Sequence, residues 1–333
     1  MLVGLSVLGL VLTSTMRESE QKVSEPIRIS HSQLGVWQDC QQKWHYSYVE
    51  KLIPIKQSPY LQRGQLVHEL LAVYDQVLQQ GLRPGSREAL DHVLAFADSD
   101  LHPGMNDTEL ENYVRALAAC SRFIREFSPH ADEGIKILAV EEYFEMELET
   151  PKGNRFIIEG YVDRIFSQYG NMWVIDRKST STGKHYTQEM ILMDNQLSTY
   201  TAVLRAMGYP IFGVGIDSIN TYPYKDYAKE PVDKLFKRII APRADRELQF
   251  SLYTYGRAVD QMIEHLRSGD DPIRRLTRDC TRCQYCDLCL YEMKGISTEM
   301  LRTAKFKEKP GRGQGTKVGF RIAPWDQTHN SGE

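Results

Sequence analysis

The sequence lacks the features of several common protein classes. Its one apolar run near the start, residues 2–12, is shorter than the roughly 20 residues that a membrane-spanning helix needs, so we expect no membrane association. It lacks a Gly-x4-Gly-Lys-Ser/Thr loop, which argues against an ATP-driven motor such as a helicase. The formal net charge is only −3, so basic residues that bind nucleic acid must be concentrated locally.

Cysteine is also scarce, with six in 333 residues, which is too few for a disulfide scaffold. Four of them lie within ten residues, at Cys280, Cys283, Cys286 and Cys289. This crowding predicts a metal site in a reducing compartment, the cytoplasm or, for a phage-encoded protein, the host cytoplasm. Zinc is one candidate, although zinc ribbons separate two such pairs by a longer loop. Tight Cys-x2-Cys runs with a remote ligand are typical of iron-sulfur sites.

The N-terminal residues 1–29 are predicted to be flexible or misassigned. Leu2 to Leu12 is similar to the apolar region of a signal peptide but has neither a preceding basic residue nor a clear cleavage site. Secretion would also conflict with the cysteine argument. We expect a non-native or misassigned start, with Met16 as an alternative initiator.

The most informative stretch is a predicted β-hairpin between Phe156 and Ser179. Alternating apolar and polar residues predict a strand that ends at Phe166, and a turn at residues 168–171 leads into a second strand. Folding there brings Asp163 close to Asp176. Because strand side chains repeat every second residue, Asp176 and Lys178 share one face.

Two carboxylates and an ammonium at one sheet end can support hydrolysis. Asp163 and Asp176 can hold Mg²⁺, a hard cation that takes carboxylate oxygens, and a bound ion can acidify a water molecule. Lys178 can orient that water or neutralise charge on a phosphate. The alternative interpretation of Asp-x-Lys alone is a surface salt bridge at a strand end.

These motifs resemble the PD-(D/E)XK nucleases, in particular the RecB-like branch of CRISPR-associated and phage iron-sulfur exonucleases. In that branch a Gly-x-Val/Ile-Asp-Arg strand precedes a hydrophobic-Asp-x-Lys strand. The matching residues are Gly160 to Arg164 and Val174 to Lys178. The resemblance implies a restriction-endonuclease-like α/β fold and a metal-dependent nuclease that uses Mg²⁺ or Mn²⁺.

The resemblance also implies roles on the first long helix. Gly64-x3-His68 matches a motif whose histidine is an additional metal ligand, and imidazole suits Mn²⁺ better than Mg²⁺. Without the resemblance, His68 is a half-buried structural histidine. Arg63 becomes a phosphate contact instead of a solvated loop charge.

A Gln-x3-Tyr motif follows in a helix predicted over residues 187–207. Gln196 and Tyr200 are four apart and share a helix face. The resemblance implies that Gln196 positions the lysine, the water or a phosphate, and that Tyr200 contacts DNA. Glu141 or Glu142 on the preceding predicted strand is a further candidate metal ligand, with a solvent-facing edge carboxylate as the alternative.

The family pattern for a 4Fe-4S cluster is one remote cysteine followed by Cys-x2-Cys-x5-Cys. Cys40, Cys280, Cys283 and Cys289 fit that pattern, with Cys286 as an alternative to Cys289. Such a cluster would join the two ends of the chain and stabilise the fold. Cys120 lies among apolar residues at helical spacing and is predicted to be core.

The predicted order of helix, three strands, helix and strand indicates an α/β core with a mixed sheet. A basic segment between Lys234 and Arg246 can track a phosphate backbone or be an ordinary solvated helix face. The predicted divisions are an N-terminal segment with one cluster cysteine at 30–61, a nuclease core at 62–245 with a helical insertion at about 86–130, a C-terminal helix and cysteine cluster at 246–300, and a basic flexible tail at 301–333.

The sequence therefore predicts a metal-dependent DNA exonuclease acting on single strands or free ends. One alternative is an end-processing or adaptor subunit of a recombination or CRISPR-adaptation complex, with a helicase or similar partner. Another is a zinc-stapled, non-catalytic DNA-binding protein. Polarity, strand preference, endonuclease activity, oligomeric state and pathway are not predicted.

Overall fold

A six-stranded mixed sheet organises the protein, and a two-stranded sheet lies apart from it. The structure, a computed structural model, describes residues 26–56, 58–100 and 104–309. The predicted start at Met16 and the tail beyond residue 309 lie outside the described residues. The strands are β1 (Ile27–Ser30), β2 (Leu52–Pro54), β3 (Lys136–Glu149), β4 (Arg155–Gln168), β5 (Asn171–Thr180), β6 (Ile211–Asn220), β7 (Phe236–Pro242) and β8 (Phe306–Glu308).

Twelve α-helices lie between or after the strands in the described part of the chain. They are α1 (His31–Asp39), α2 (Gln41–Trp44), α3 (Pro59–Gln79), α4 (Arg87–Asp100), α5 (Asp107–Arg122), α6 (Ser128–Ala131), α7 (Gln188–Leu192), α8 (Asn195–Ala206), α9 (Val232–Leu235), α10 (Asp245–Ser268), α11 (Cys286–Met293) and α12 (Glu299–Lys305). Short π-helical turns occupy His45–Val49 and Phe123–Phe127, and 3-10 turns occupy Tyr227–Lys229 and Arg278–Arg282.

The central strand β4 has neighbours on both edges. β3 pairs antiparallel along nearly its whole length. The other edge is shared, because β1 pairs parallel with residues 156–159 and β5 pairs antiparallel with residues 164–168. β6 and β7 extend the sheet beyond β5, parallel and antiparallel respectively. The predicted α/β fold with a mixed sheet is confirmed.

Two apolar cores hold the helices against this sheet. Side chains of α1, α8 and α10 pack on β4 around Ile158, Val203 and Val259, which are fully buried. Helix α3 packs with α4 and α5 in a second core, where Cys120 is buried as predicted. Within the described part of the chain, no helix has both the length and the hydrophobicity needed to cross a bilayer.

Several elements differ from the sequence prediction. The helix predicted over 187–207 is two helices, because Asp194 ends the first and caps α8 by accepting a hydrogen bond from the Leu197 amide at 2.9 Å. β1 was not predicted. The tail predicted from residue 301 begins with structure instead: α12 leads into β8, which pairs with β2.

The prediction that the basic segment between Lys234 and Arg246 tracks a phosphate backbone is wrong for Arg238 and Arg243. Residues 236–242 form β7, not an exposed helix face. Arg238 forms ion pairs with Asp217 at 2.6 Å and with Asp132 at 2.9 Å. Arg243 is only 4% exposed. Arg238 and Arg243 are therefore held within the fold and are not available to DNA, whereas Lys237, the residue before Arg238, is exposed.

Candidate active site

The candidate active site lies where β4 and β5 separate. Arg164 pairs with Ile175, and the next residues along the two strands are Asp163 and Asp176. Beyond this point β5 continues beside β6 alone, as far as Thr180. The edge of β4 that β5 leaves is taken up again by β1 only at Glu159. The two carboxylates therefore border an opening in the sheet.

Helix α3 brings His68 to this opening. Its Nδ1 lies 3.2 Å from Oδ2 of Asp163, and the same oxygen accepts a hydrogen bond from the Arg177 amide at 2.8 Å. The helix passes close to the end of β5, where a Cβ on Gly64 would lie 3.3 Å from the Ser179 hydroxyl oxygen. A small residue at position 64 thus allows the close approach that positions His68.

Asp176 and Lys178 share one face of β5, and their side chains interact directly. The Lys178 Nζ lies 2.8 Å from Oδ2 and 3.0 Å from Oδ1 of Asp176. The Asp176 side chain is 11% exposed and that of Lys178 is 31% exposed. The ammonium can therefore reach solvent, or a ligand in the opening, while the carboxylate stays largely covered.

The surroundings of the site shift the pKa values of Asp163, Asp176 and His68. Burial, and then the charge of Asp163, raises the pKa of Asp176 to about 6. Burial opposes ionisation of Asp163 too, but hydrogen bonding and the charge of His68 lower its pKa overall. For His68, burial is outweighed by the contact with Asp163, and its pKa is raised. These opposed shifts arise because several carboxylates share a small, partly desolvated space.

The sequence offered Glu141 or Glu142 as a further metal ligand, and the structure places Glu141 beside His68 and Asp163. One ligand atom each of His68, Glu141 and Asp163 lie within 4.8 Å of one another. Glu141 has a positive φ of 50°, which is unfavourable for a residue other than glycine. Its neighbour Glu142 is 8% exposed, and burial raises its pKa. An imidazole with several carboxylate oxygens fits a hard divalent cation such as Mg²⁺ or Mn²⁺.

A buried network of charged residues lies beside the site and was missed in the sequence. Arg177 pairs with Asp75 at 2.6 Å and also donates to the Leu71 carbonyl at 2.8 Å. Arg164 pairs with Asp132 at 3.0 Å and lies 3.6 Å from Asp75. Asp217 and Arg238 extend the network. Since Asp75 follows His68 by seven residues on α3, these pairs fix two turns of the helix on the sheet.

A sequence signal for this network was present in two repeated dipeptides. Asp163-Arg164 and Asp176-Arg177 each place an arginine directly after a site carboxylate. Alternation along a strand sends neighbouring side chains to opposite faces. Each strand can thus place its aspartate at the opening and its arginine in the buried network.

The Gln-x3-Tyr motif packs against the strand that carries Asp163. Tyr200 is 5% exposed, and its ring meets Phe144 edge to face at 4.7 Å between centroids. A Cβ on Gly160 would lie 2.6 Å from the Tyr200 hydroxyl oxygen, so the glycine makes room for the tyrosine. Gln196 is half-buried and hydrogen bonds to Tyr200. This position favours support of β4 over a direct DNA contact for Tyr200.

Arg63 is also buried, at 3% exposed. Its guanidinium donates a hydrogen bond to Oδ1 of Asn112 at 2.8 Å and lies 5.4 Å from the centre of the Tyr60 ring. It is therefore not on an open DNA-binding surface. It borders a cavity between α3 and α5.

The cysteines from the two ends of the chain approach one another. Burial raises the pKa of Cys283, and the nearby Cys40 and Cys280 thiols add to this effect. Burial also raises the pKa of Cys289, with Cys283 adding to it. The amide of Gln42 donates to the Ile273 carbonyl at 3.2 Å and joins the two segments.

The spacing of the sulfurs bears on the kind of metal group. Among the described residues, which include all six cysteines, no three sulfurs lie within 4.8 Å of one another. Four thiolates on one zinc ion, with Zn–S bonds of about 2.3 Å, lie closer together than this. The spacing of the sulfurs therefore differs from that of four thiolates around one zinc ion.

Comparison with known proteins gives one family. Residues 28–290 match the model of the PD-(D/E)XK nuclease superfamily. A crystal structure of a candidate exonuclease from Eubacterium rectale is 14% identical, covers 82% of this chain and 93% of that chain, and gives a TM-score of 0.45. A crystal structure of SSO0001 is 13% identical, covers 81% of this chain and 89% of that chain, and gives a TM-score of 0.38. A search of curated proteins finds no match.

Proposed function

Because this chain belongs to the PD-(D/E)XK nuclease superfamily, we propose that it is a metal-dependent exonuclease that hydrolyses phosphodiester bonds from the ends of single-stranded DNA. The observation that carries this proposal is the opening between β4 and β5. It brings Asp163, Asp176 and Lys178 together with His68 from α3. Glu141 adds a further carboxylate beside them.

Each residue has a proposed role in hydrolysis. His68, Asp163 and Asp176 hold the divalent ion, and Glu141 adds an oxygen ligand. A bound Mg²⁺ or Mn²⁺ would polarise the phosphodiester and lower the pKa of the attacking water. Lys178 remains charged beside Asp176, since the contact with that carboxylate outweighs burial and raises its pKa. Its ammonium can therefore stabilise negative charge as it develops on the phosphate.

Other residues support these groups. Tyr200 packs against Gly160 and so holds β4 in position. The half-buried Gln196 supports Tyr200 through a hydrogen bond. The buried pair of Arg177 and Asp75 holds α3, and with it His68, over the sheet. Precise placement matters because the reacting atoms must lie within a few tenths of an ångström of a productive arrangement.

The test compares the wild type with Asp176→Ala and Lys178→Ala on end-labelled single-stranded DNA with Mg²⁺ or Mn²⁺. We expect each substitution to lower kcat/KM by about 100-fold or more, since each removes a charge that acts in the transition state. Lys136→Ala, at an exposed lysine where β3 begins, is the matched control and should retain activity. Equal activity in all four proteins would remove the catalytic assignment.

We also propose that Cys40, Cys280, Cys283 and Cys289 hold a 4Fe-4S cluster in a reducing, cytoplasmic compartment. Cys40 and Cys280 both lie near Cys283, and Cys283 lies near Cys289, which supports a shared site for these four thiols. A cluster would supply folding free energy by tying the junction of α1 and α2 to α11 and to the segment before it.

Colour tests the cluster. Protein purified without oxygen should be brown with broad visible absorbance, and Cys40→Ala and Cys289→Ala should bleach it and lower solubility. Cys286→Ala and the core variant Cys120→Ala should keep full colour. Colourless wild-type protein that contains zinc, or a Cys40→Ala protein with unchanged absorbance, contradicts the proposal.

A further inference from the structure

A cavity of about 550 Å³ lies between α5 and the segment that follows β6. Leu110 and Val114 of α5 form one side, and Tyr222, Tyr224 and Tyr227 form the other. We call this cavity the tyrosine pocket. Its volume falls within the range of small-molecule sites, and its lining residues differ from those of the candidate active site.

The aromatic side of the tyrosine pocket is held in place by Asn220, the fully buried last residue of β6. The side-chain nitrogen of Asn220 donates to the Tyr224 hydroxyl at 3.0 Å, and its side-chain oxygen accepts from the Tyr222 amide at 2.9 Å. The Asn220 carbonyl accepts a hydrogen bond from the Tyr227 hydroxyl at 2.7 Å. The Tyr222 and Tyr224 rings lie 4.8 Å apart between centroids. Because these contacts order the tyrosines in advance, a ligand loses little affinity to side-chain ordering.

Hydrophobic side chains on both sides of the pocket stay open to solvent. Leu110 is 45% exposed, Val114 is 54% exposed and Tyr222 is 41% exposed. Single exposed hydrophobic residues are ordinary, but a group of them around one cavity is typical of a binding site. An aromatic ring on one side and aliphatic side chains on the other can enclose a flat ring system.

The charged residues of the pocket interact within the protein. Arg115 donates a hydrogen bond to the Thr221 carbonyl and forms an ion pair with Glu111 at 3.5 Å. Asp107 lies in the first turn of α5, where the helix dipole favours a carboxylate. With two carboxylates and one paired cation, the pocket does not favour a phosphate. A neutral, flat ligand fits it better.

The register of the sheet places the tyrosine pocket beside the strand that carries Lys178. Lys178 of β5 pairs with Ser218 of β6, and Thr180 pairs with Asn220. The Thr180 carbonyl also accepts a hydrogen bond from the Thr221 amide at 2.7 Å. With a rise of about 3.3 Å per residue and a strand spacing of about 4.8 Å, the Cα atoms of Lys178 and Asn220 are about 8 Å apart. This is about two to three nucleotide steps of 3.4 Å, so a strand bound at Lys178 can reach the pocket with a nearby base.

We propose that the tyrosine pocket binds one nucleobase of the single DNA strand whose backbone lies at Lys178. This inference rests on the proposed nuclease function and adds a base contact to it. Tyr222 would stack on the base, and Leu110 and Val114 would cover its other side. Because every base has a π-face, the contact would hold the strand with little sequence preference. It would also favour single strands, since a paired base must first leave its duplex.

The experiment measures the affinity of the Lys178→Ala protein for two fluorescently labelled pentanucleotides. One is pentathymidylate, and the other has the same sugar-phosphate backbone with all five bases removed. We expect the abasic strand to bind at least about tenfold more weakly, which is the loss that one stacked base gives. A site that contacts phosphates alone would bind both strands equally.

Two substitutions in the Lys178→Ala protein connect this ratio to the pocket. Tyr222→Ala removes the stacking ring, and Ala118→Phe adds a ring at a position that lines the pocket from α5. Each should bring the ratio of the two affinities close to one. Tyr222→Phe keeps the ring and should keep the ratio. Tyr253→Ala, which removes a 54% exposed tyrosine from α10, is the matched control and should also keep it. Thermal unfolding checks that each protein folds.

The outcomes separate this inference from the nuclease proposal. If wild-type protein cleaves DNA but the two pentanucleotides bind equally, or the ratio persists in both Tyr222→Ala and Ala118→Phe, the inference is wrong and the nuclease proposal stands. If the wild type cleaves no DNA but the ratio depends on Tyr222, the nuclease proposal fails and the base pocket stands. If Tyr222→Ala converts a dimer to a monomer in sedimentation, the pocket is an interface between two copies of the chain, and the inference is wrong.

Discussion

Two charged clusters lie along α3, and they differ in balance and in access to solvent. Beside Asp75, three aspartates and three arginines form a network in which Arg164 and Asp217 are fully buried. Beside His68, the carboxylates of Glu141, Asp163 and Asp176 face a single lysine and the histidine, and the Lys178 side chain is 31% exposed.

The difference indicates what each cluster does. The first is neutral and closed, so its charges satisfy one another and hold α3 on the sheet. The second has excess negative charge beside an opening, so it can attract a divalent cation from solvent. Position along one helix therefore separates a structural ionic network from a candidate metal site by only two turns.

Removal of Asp75 should break the closed cluster and have the largest effect on stability. Asp75→Ala leaves the Arg177 guanidinium buried without its carboxylate, which we expect to lower the free energy of unfolding by about 3–5 kcal/mol. Asp91→Ala is the matched control, because Arg87 and Asp91 form an exposed pair at 2.8 Å. It should cost less than about 1 kcal/mol. Urea unfolding measures both, and similar losses would contradict the distinction between the clusters.

A titration of the open cluster should give a smaller effect of the opposite sign. The fold raises the pKa of Asp176 to about 6, from the ordinary 3.8. Between these values the folded protein keeps a proton that the unfolded chain has released, so this group makes stability fall as pH rises through the window. In metal-free protein, Asp176→Asn should remove this decline and be more stable at pH 7 by about 1–3 kcal/mol.

Urea unfolding in EDTA between pH 4 and 7 measures this decline. Asp163→Asn is the counterpart within the cluster, since the pKa of Asp163 is lowered and its stabilisation is lost as pH falls. Removal of Asp163 should therefore not stabilise the protein at pH 7. A wild-type curve with the same slope as that of Asp176→Asn would show that Asp176 is not held in a strained ionised state.

The sequence was sufficient where the pattern is local and insufficient where packing decides. The positions of Asp163, Asp176 and Lys178 follow from one hairpin and the alternation of its strands. β1 has four residues and pairs with β4 more than 120 positions away, so no local pattern predicts it. Arg63 is buried because Asn112 of α5, a helix of the insertion, packs against it. The pattern of α3 alone does not predict this burial.

β7 shows how composition can mislead. Its segment is rich in Lys and Arg, which favoured an exposed basic surface. Arg238 is instead the partner of Asp217 on the neighbouring strand, at 2.6 Å. A charged side chain can be buried in a strand when a residue of opposite charge lies across from it on the neighbouring strand. Asp217, which does this for Arg238, is 21 residues away in the sequence, so the local pattern did not show it.

Two adjacent glutamates, Glu141 and Glu142, allow a test of which carboxylates of the open cluster bind metal, with a smaller expected effect. Glu141→Gln should weaken Mn²⁺ binding by about tenfold, because a carboxylate within reach of His68 and Asp163 becomes a neutral amide. Glu142→Gln should leave the affinity unchanged, since Glu142 lies outside that group of ligand atoms and is buried. Calorimetric titration gives both affinities, and equal values for the two variants would exclude Glu141 as a ligand.

The backbone at Glu141 provides the smallest and most specific test. A φ of 50° costs a non-glycine residue on the order of 1 kcal/mol, and such strain persists at functional positions. Glu141→Gly relieves this strain but removes the carboxylate. Metal-free stability should therefore stay level or rise by less than about 1 kcal/mol, while the rise in Tm on adding Mn²⁺ becomes smaller than in the wild type. A variant that loses metal-free stability and keeps the full Mn²⁺ response would show that Glu141 serves the strand and not the metal.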